Sequence, residues 1–234
     1  MAGNTGGLRV DSPAPRVTRL LLDRPRQRNA IDTGLVDGLR RAFDQLHAQP
    51  ARVVVLGSST PGIFCAGADL SLDDDTRRDV SDALYELYDA MITLPAVIIA
   101  AVDGPAVGGG AQLSLACDLR LWSQHAWLRV VGPGHGLAVG SWALPSLVGR
   151  GRTLRLCLTG AQVRPEEAVQ IGLADQLCTR DPVAQALDLA TQLSDLDPSA
   201  TVRIKAAVVA QYDLRAALRA EADGNAQWSG SVPR

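Results

Sequence analysis

Hydrophobic positions in this chain fall into two kinds of run. Arg52-Val53-Val54-Val55-Leu56-Gly57 and Ala96-Val97-Ile98-Ile99-Ala100-Ala101-Val102 are short and almost unbroken, the pattern of strands covered on both faces. Val17-Thr18-Arg19-Leu20-Leu21-Leu22-Asp23 reads as a further strand ending at the breaker Arg24-Pro25. Leu35, Leu39, Phe43 and Leu46 recur at near-helical spacing behind a cap at Asp32 or Thr33, which predicts a helix. A second helix is predicted from Ser81 to Leu94, before Pro95. Asp103-Gly104-Pro105 turns the chain, Gly108-Gly109-Gly110 opens a helix over Ala111 to Cys117, and Asp118 to Trp122 is the next strand. The acidic stretch from Asp73 to Asp79 lacks an apolar face and is expected to be a mobile, solvated loop. Gly132-Pro133-Gly134-His135-Gly136 is too glycine-rich for regular structure. The remainder reads as helical, with one short strand near Asp175 to Cys178. Strands alternating with helices and then a helical tail predict a parallel α/β core with a helical C-terminal part.

Composition narrows this picture. At 234 residues one compact domain is the prior, and 47% hydrophobic with 21% charged residues is ordinary globular usage. The longest apolar runs fall well short of the ~18 residues a bilayer span needs. The first sixteen residues are rich in Gly, Pro, Asn and Ser without an apolar core, so a loose leader and a cytoplasmic location are expected rather than a signal peptide. Cys65, Cys117, Cys157 and Cys178 form no CxxC pair and sit among apolar residues, which predicts reduced core thiols and indicates neither a zinc site nor a disulfide framework. A net charge of -2 argues against bulk nucleic-acid binding, while basic residues can still gather locally around one anionic ligand.

Two glycine-bearing turns carry the candidate chemistry, Cys65-Ala66-Gly67-Ala68-Asp69 and Val107-Gly108-Gly109-Gly110-Ala111. Each follows a strand, where backbone N–H groups lack ladder partners, and the second opens a helix whose dipole favours negative charge. Two N–H groups aimed at one point make an oxyanion hole for a carbonyl oxygen turning into an enolate. A glycine triplet taken alone is equally a device for close helix–strand packing.

A series of motifs resembles the crotonase superfamily, the enoyl-CoA hydratase/isomerase family. They are Leu22-Asp23-Arg24-Pro25 with Asn29-Ala30; Phe64 to Leu70; Ala101-Val102-Asp103-Gly104-Pro105-Ala106-Val107-Gly108-Gly109-Gly110; Ala116-Cys117-Asp118-Leu119-Arg120; Leu158-Thr159-Gly160; and Ala168 with Gly172-Leu173-Ala174-Asp175. They run from about residue 17 to 215 in the family's order. The resemblance implies an α/β crotonase-like spiral of ββα units with a C-terminal helical trimerisation region. It divides the chain into a flexible leader (1–16), a crotonase core (17–190) and a C-terminal helical region (191–234) that looks shortened. It also implies an acyl-CoA ligand, coenzyme A entering only as part of the substrate with no other cofactor or metal, and a homotrimer or hexamer. The amides of Ala68 and Gly109 take the oxyanion-hole roles, with Gly108 beside them. Arg26, Gln27 and Arg28, with the backbone at Ala66, Asp69 and Leu70, would hold the CoA nucleotide; Arg26 and Arg28 suit phosphates, or are simply solvated.

Hydratases of this family place two glutamates around the hole, at positions that here hold Gln112 and, counted without gaps, Gly132. Gln112 can position a water or substrate but exchanges no proton near neutral pH. The stretch from Leu128 to Pro145 contains no Asp or Glu, so an isomerase-type carboxylate is missing there too. His135 is the titratable group available, as a base, a pocket-lining residue or an exposed loop histidine. Trp127 and Trp142 flank the same loop and either line an acyl tunnel or belong to the core. Two functions follow. One is an acyl-CoA-binding protein of fatty-acid metabolism with weak or no hydratase activity. The other is an active enzyme of the family that uses His135, Gln112 or a bound water.

Overall fold

The computed structural model describes residues 3–48, 52–226 and 228. The chain runs β1 (Gly3–Thr5), β2 (Leu8–Ala14), β3 (Val17–Leu22), α1 (Thr33–Ala48), β4 (Val53–Ser58), α2 (Asp74–Thr93), β5 (Val97–Val102), β6 (Pro105–Val107), α3 (Gly109–Leu115), β7 (Leu119–Trp122) and β8 (Trp127–Arg129). The helical part follows: α4 (Leu144–Val148), α5 (Arg150–Thr159), α6 (Pro165–Gln170), strand β9 (Gln176–Leu177), α7 (Pro182–Ser194), α8 (Pro198–Gln211) and α9 (Leu214–Asn225). Among the described residues, no helix is long and apolar enough to cross a membrane.

The main sheet has the order β1-β2-β3-β4-β5-β7-β9, parallel from β3 onward, and β6 pairs with β8 in a small second sheet. Successive residues of β4 and β5 point to opposite faces, and both faces are apolar. Val54, Leu56, Ile98 and Ala100 join the large core under α1 and α2, whereas Val53, Val55, Ile99 and Ala101 pack against Ala186 and Ala190 of α7. Unbroken apolar runs are what a strand covered on both faces requires.

Two segments differ from the sequence expectation. Within the expected leader, β1 and β2 are strands: β2 pairs antiparallel with β3, Leu8 is 1% exposed, and Arg9–Asp23 and Arg19–Asp11 ion pairs hold the strands across the ladder. β2 is antiparallel and presents a polar outer face to water, which disguises the strand in the sequence. The acidic stretch is the first turn of α2. Asp73 is its N-cap, its carboxylate accepting from the Thr76 amide at 2.8 Å, and Asp74 and Asp75 lie where the helix dipole favours acids.

Two family motifs turn out to be structural. Arg120, 3% exposed, donates to the carbonyls of Cys117 and Leu173 and to Asp175, tying β7 to the turn before β9. Asp118 accepts from the Ile98 amide at 2.7 Å and pairs with Lys205 of α8 at 2.9 Å. Cys65, Cys117 and Cys178 are buried and Cys157 partly so, all unpaired; burial pushes the Cys65 thiol up to about 12, where it is inert as a nucleophile.

Candidate functional site

The site is built on the loop after β4 and the turn between β6 and α3. Asn29, fully buried, fixes the first of these: its amide nitrogen donates to Ser58 Oγ and the Phe64 carbonyl, and its oxygen accepts from the Arg24 amide. The Ile31 amide then donates to the Gly67 carbonyl at 2.7 Å, and the Asp69 amide to the Ile31 carbonyl at 2.9 Å. Gly67 has φ +95, and a Cβ there would lie 2.7 Å from the Val107 carbonyl oxygen and 3.7 Å from the Gly109 nitrogen. Only glycine permits this approach of the two turns. The intervening Ala68 amide donates to nothing among the described residues, and neither does the Gly109 amide at the start of α3.

Both residues line a cavity of about 300 Å³. Ala66, Gly67 and Gly108 line it beside them, α2 supplies Leu84, Tyr85 and Tyr88 together with the polar Arg77 and Ser81, and Gln112, His135, Asn225 and Trp228 add further polar groups to the wall. Tyr88 donates to the Gly109 carbonyl at 3.0 Å, which pins α2 to the oxyanion turn. Trp228 closes one side, its indole N–H donating to the His135 carbonyl at 2.7 Å and Arg77 lying over its ring. Among the described residues, the lining includes no aspartate or glutamate.

Gln112 is 5% exposed, and its Oε1 accepts from Trp142 Nε1 at 2.7 Å and from the Gly140 amide at 3.3 Å. Gly132 leaves no room for a longer residue: a Cβ there would meet the Leu137 carbonyl oxygen at 2.4 Å. The remaining candidates separate. Leu70 lines the cavity and is 69% exposed. Arg26, Gln27 and Arg28 lie exposed on a turn tied to Ala66 by its amide, which donates to the Arg28 carbonyl, but they are not in the cavity wall. The Asp69 carboxylate is occupied by Ser71 and Arg24, and the Ser71 hydroxyl bond, foremost among these contacts, holds its pKa below the usual carboxylate range. Trp142 does not reach the cavity. It is 2% exposed, stacks on Tyr88 and spends its indole N–H on Gln112, so its part is to hold that side chain. Trp127 lies in β8, also outside the lining.

Sequence reasoning missed Glu221. It is 4% exposed on α9, behind the wall, and receives four hydrogen bonds, from Tyr85, the Gly140 and Trp142 amides and Ser141. Burial pushes its carboxyl above the usual range, against the pull of those donors. An acidic group therefore does lie close to Gln112, one hydroxyl removed from the cavity. In sequence it is one of two acids on a helix with an ordinary apolar stripe, and only the folding of α9 onto α2 reveals its burial.

Residues 15–232 match the model of the enoyl-CoA hydratase/isomerase family. The chain belongs to that family. A Mycobacterium leprae member named "Probable enoyl-CoA hydratase echA6" is 38% identical over 172 residues, 70% of this chain and 68% of the relative. An enoyl-CoA isomerase/hydratase of Zymoseptoria tritici is 39% identical over 189 residues, 73% of this chain and 60% of that protein. Among solved enoyl-CoA hydratase structures, that from Bacillus anthracis has a TM-score of 0.81 at 31% identity, covering 93% of this chain and 89% of that one. The Mycobacterium avium subsp. paratuberculosis structure has a TM-score of 0.85 at 27% identity, covering 96% and 91%. The crotonase-like fold of this family member, mixed sheet with C-terminal helices, is thereby established.

Proposed function

We propose that this family member binds acyl-CoA thioesters for fatty-acid metabolism, gripping the thioester oxygen with the Ala68 and Gly109 amides, and has little or no hydratase activity. One observation carries the reading: two amides without acceptors line a cavity whose described wall holds no carboxylate. Oxyanion donors alone stabilise charge on the thioester, but adding water to a double bond also requires a proton to leave the water and another to reach carbon. General acid–base help is worth about 100- to 10,000-fold, so its loss leaves grip without hydration.

The turn carrying Arg26 and Arg28 is the proposed CoA phosphate contact, supported by its attachment to Ala66 and by two exposed guanidinium groups. Assembly as a homotrimer or hexamer belongs to the same proposal, supported by the exposed apolar residues Ile204 and Val208 of α8 and Tyr212 just after it. A second reading, an active enzyme with His135 as base, has in its favour that His135 lines the cavity. Titration with butyryl-CoA and a crotonyl-CoA hydration assay on the same preparation test the proposal. Saturable binding with hydration near the buffer rate is expected. Rapid hydration that His135→Ala abolishes would favour the second reading.

A further inference from the structure

Arg77 is a cation in the cavity wall that local structure does not call for. It is the fourth residue of α2, where the helix dipole disfavours positive charge, and its side chain is 16% exposed. Asp74 pairs with one of its terminal nitrogens, but that carboxylate is 52% exposed and water screens much of the attraction. The Trp228 ring, 6.0 Å from Cζ, offers an N–H no lone pair. Nor does Trp228 need Arg77 as a clamp. Its indole N–H donates to the His135 carbonyl, and Arg78 Nε donates to its carbonyl at 3.2 Å. Arg77 Nε is buried and has no hydrogen-bond partner among the described residues. A buried donor without an acceptor is destabilising, and more so on a charged group.

The helix sets how far this donor stands from the thioester. Leu84 adjoins the oxyanion turn, since a Cβ on Gly109 would meet its Cδ1 at 3.2 Å. Arg77 lies two turns earlier on α2, about 10 Å along the axis. Ser81, between them, adds a hydroxyl to the same wall. An extended chain covers ~3.5 Å in three single bonds, so ~10 Å is about eight bonds, fewer by the reach of the arginine itself.

We infer that Arg77 selects acyl-CoA thioesters whose acyl chain, of about six to eight carbons, ends in a second carboxylate. The inference rests on the acyl-CoA reading above and adds the class of acyl group. The thioester oxygen sits at Ala68 and Gly109, and the distal carboxylate accepts from Nε and a terminal nitrogen of Arg77, the two parallel bonds that a guanidinium edge offers a carboxylate. Side-chain rotation of the kind that commonly accompanies binding presents that edge to the ligand. The described wall has no aspartate or glutamate to repel such a chain. Shielding from water strengthens a charge-assisted bond at this position. A neutral chain of equal length leaves Nε unpaired.

Isothermal titration of the full-length protein with adipyl-CoA and suberyl-CoA, beside hexanoyl-CoA and octanoyl-CoA, tests this. At least one diacid thioester should bind about 10- to 100-fold tighter than the neutral thioester of equal length. Arg77→Met, which keeps the apolar stem, should bring that ratio to within about threefold of one. Arg77→Lys, which keeps the charge without the fork, should leave an intermediate ratio. Equal or weaker wild-type binding of both diacid thioesters would overturn the inference and leave the acyl-CoA reading standing. A preference that survives Arg77→Met would overturn it too, and should that variant fail to fold, an undiminished preference in Arg77→Lys would do the same. Failure to bind any of the four would overturn both readings.

Discussion

Gln112→Glu restores one carboxylate at the cavity wall, and the structure sets what it costs and what it gains. The glutamate keeps the Oε1 that now accepts from Trp142 Nε1 at 2.7 Å and from the Gly140 amide at 3.3 Å. Both bonds become charge-assisted, worth about 1.5–3 kcal/mol each against about 0.5–1.5 for neutral pairs. Set against this is Glu221, whose Oε1 accepts from the same Gly140 amide at 3.1 Å. Two carboxylates sharing one donor, with charges ~5 Å apart at an effective dielectric constant of ~20, repel by about 3 kcal/mol. The pair then sheds its last proton well above the ordinary carboxylate range, so between that range and the raised value the folded chain holds a proton the unfolded chain has released. Stability of Gln112→Glu should therefore fall as pH rises through this window, by roughly 2–3 kcal/mol relative to wild type. Crotonyl-CoA hydration should rise by about 100-fold, the low end for one general base, because Gly132 cannot supply the other. Urea melts between pH 5 and 8, paired with hydration rates, measure both. Hydration by wild type at the variant's rate, or a variant whose stability follows the wild-type pH profile, would refute the reasoning.

Further outcomes follow from the same geometry. Gly67→Ala puts a side chain at φ +95, 2.7 Å from the Val107 carbonyl oxygen; it should cost about 1–3 kcal/mol in urea unfolding and weaken butyryl-CoA binding by displacing the Ala68 amide, and unchanged affinity would count against that amide's role. Gly132→Ala meets the Leu137 carbonyl oxygen at 2.4 Å and should destabilise by ~1–3 kcal/mol without altering hydration. Burial raises the pKa of the folded-state Glu221 carboxyl above the usual carboxylate range, so its contribution to stability is lost as pH climbs from the normal glutamate range through the raised value. Tyr85 and Tyr88 on α2 and Cys157 on α5 are titratable neighbours in its field. Glu221→Gln should flatten that segment of the stability profile, and an unaltered slope would show that another group sets it.

Much of the fold could be read from local pattern because burial on both faces leaves an unbroken apolar signature, as in β4 and β5. The oxyanion turns could be read because glycine is forced where Gly67 passes within contact of Val107. The antiparallel strand β2 was hidden by its polar outer face and by pairing that depends on Arg9 meeting Asp23 across the ladder. The first turn of α2 did carry a signal, Asp73 three residues before Thr76 followed by further acids, which the missing apolar face outweighed. The sequence left Trp142 open between tunnel wall and core; its indole turns toward Gln112, a choice fixed by tertiary packing. Glu221 lay beyond local reading altogether, since its partners Tyr85 and Gly140 are 136 and 81 residues away in sequence.

A crystal structure of the protein with butyryl-CoA tests the central claim most directly. The account predicts the thioester oxygen about 2.7–3.1 Å from both the Ala68 and Gly109 nitrogens, with no carboxylate oxygen touching the acyl chain. A thioester bound elsewhere, or one of those amides turned away from it, would contradict the account.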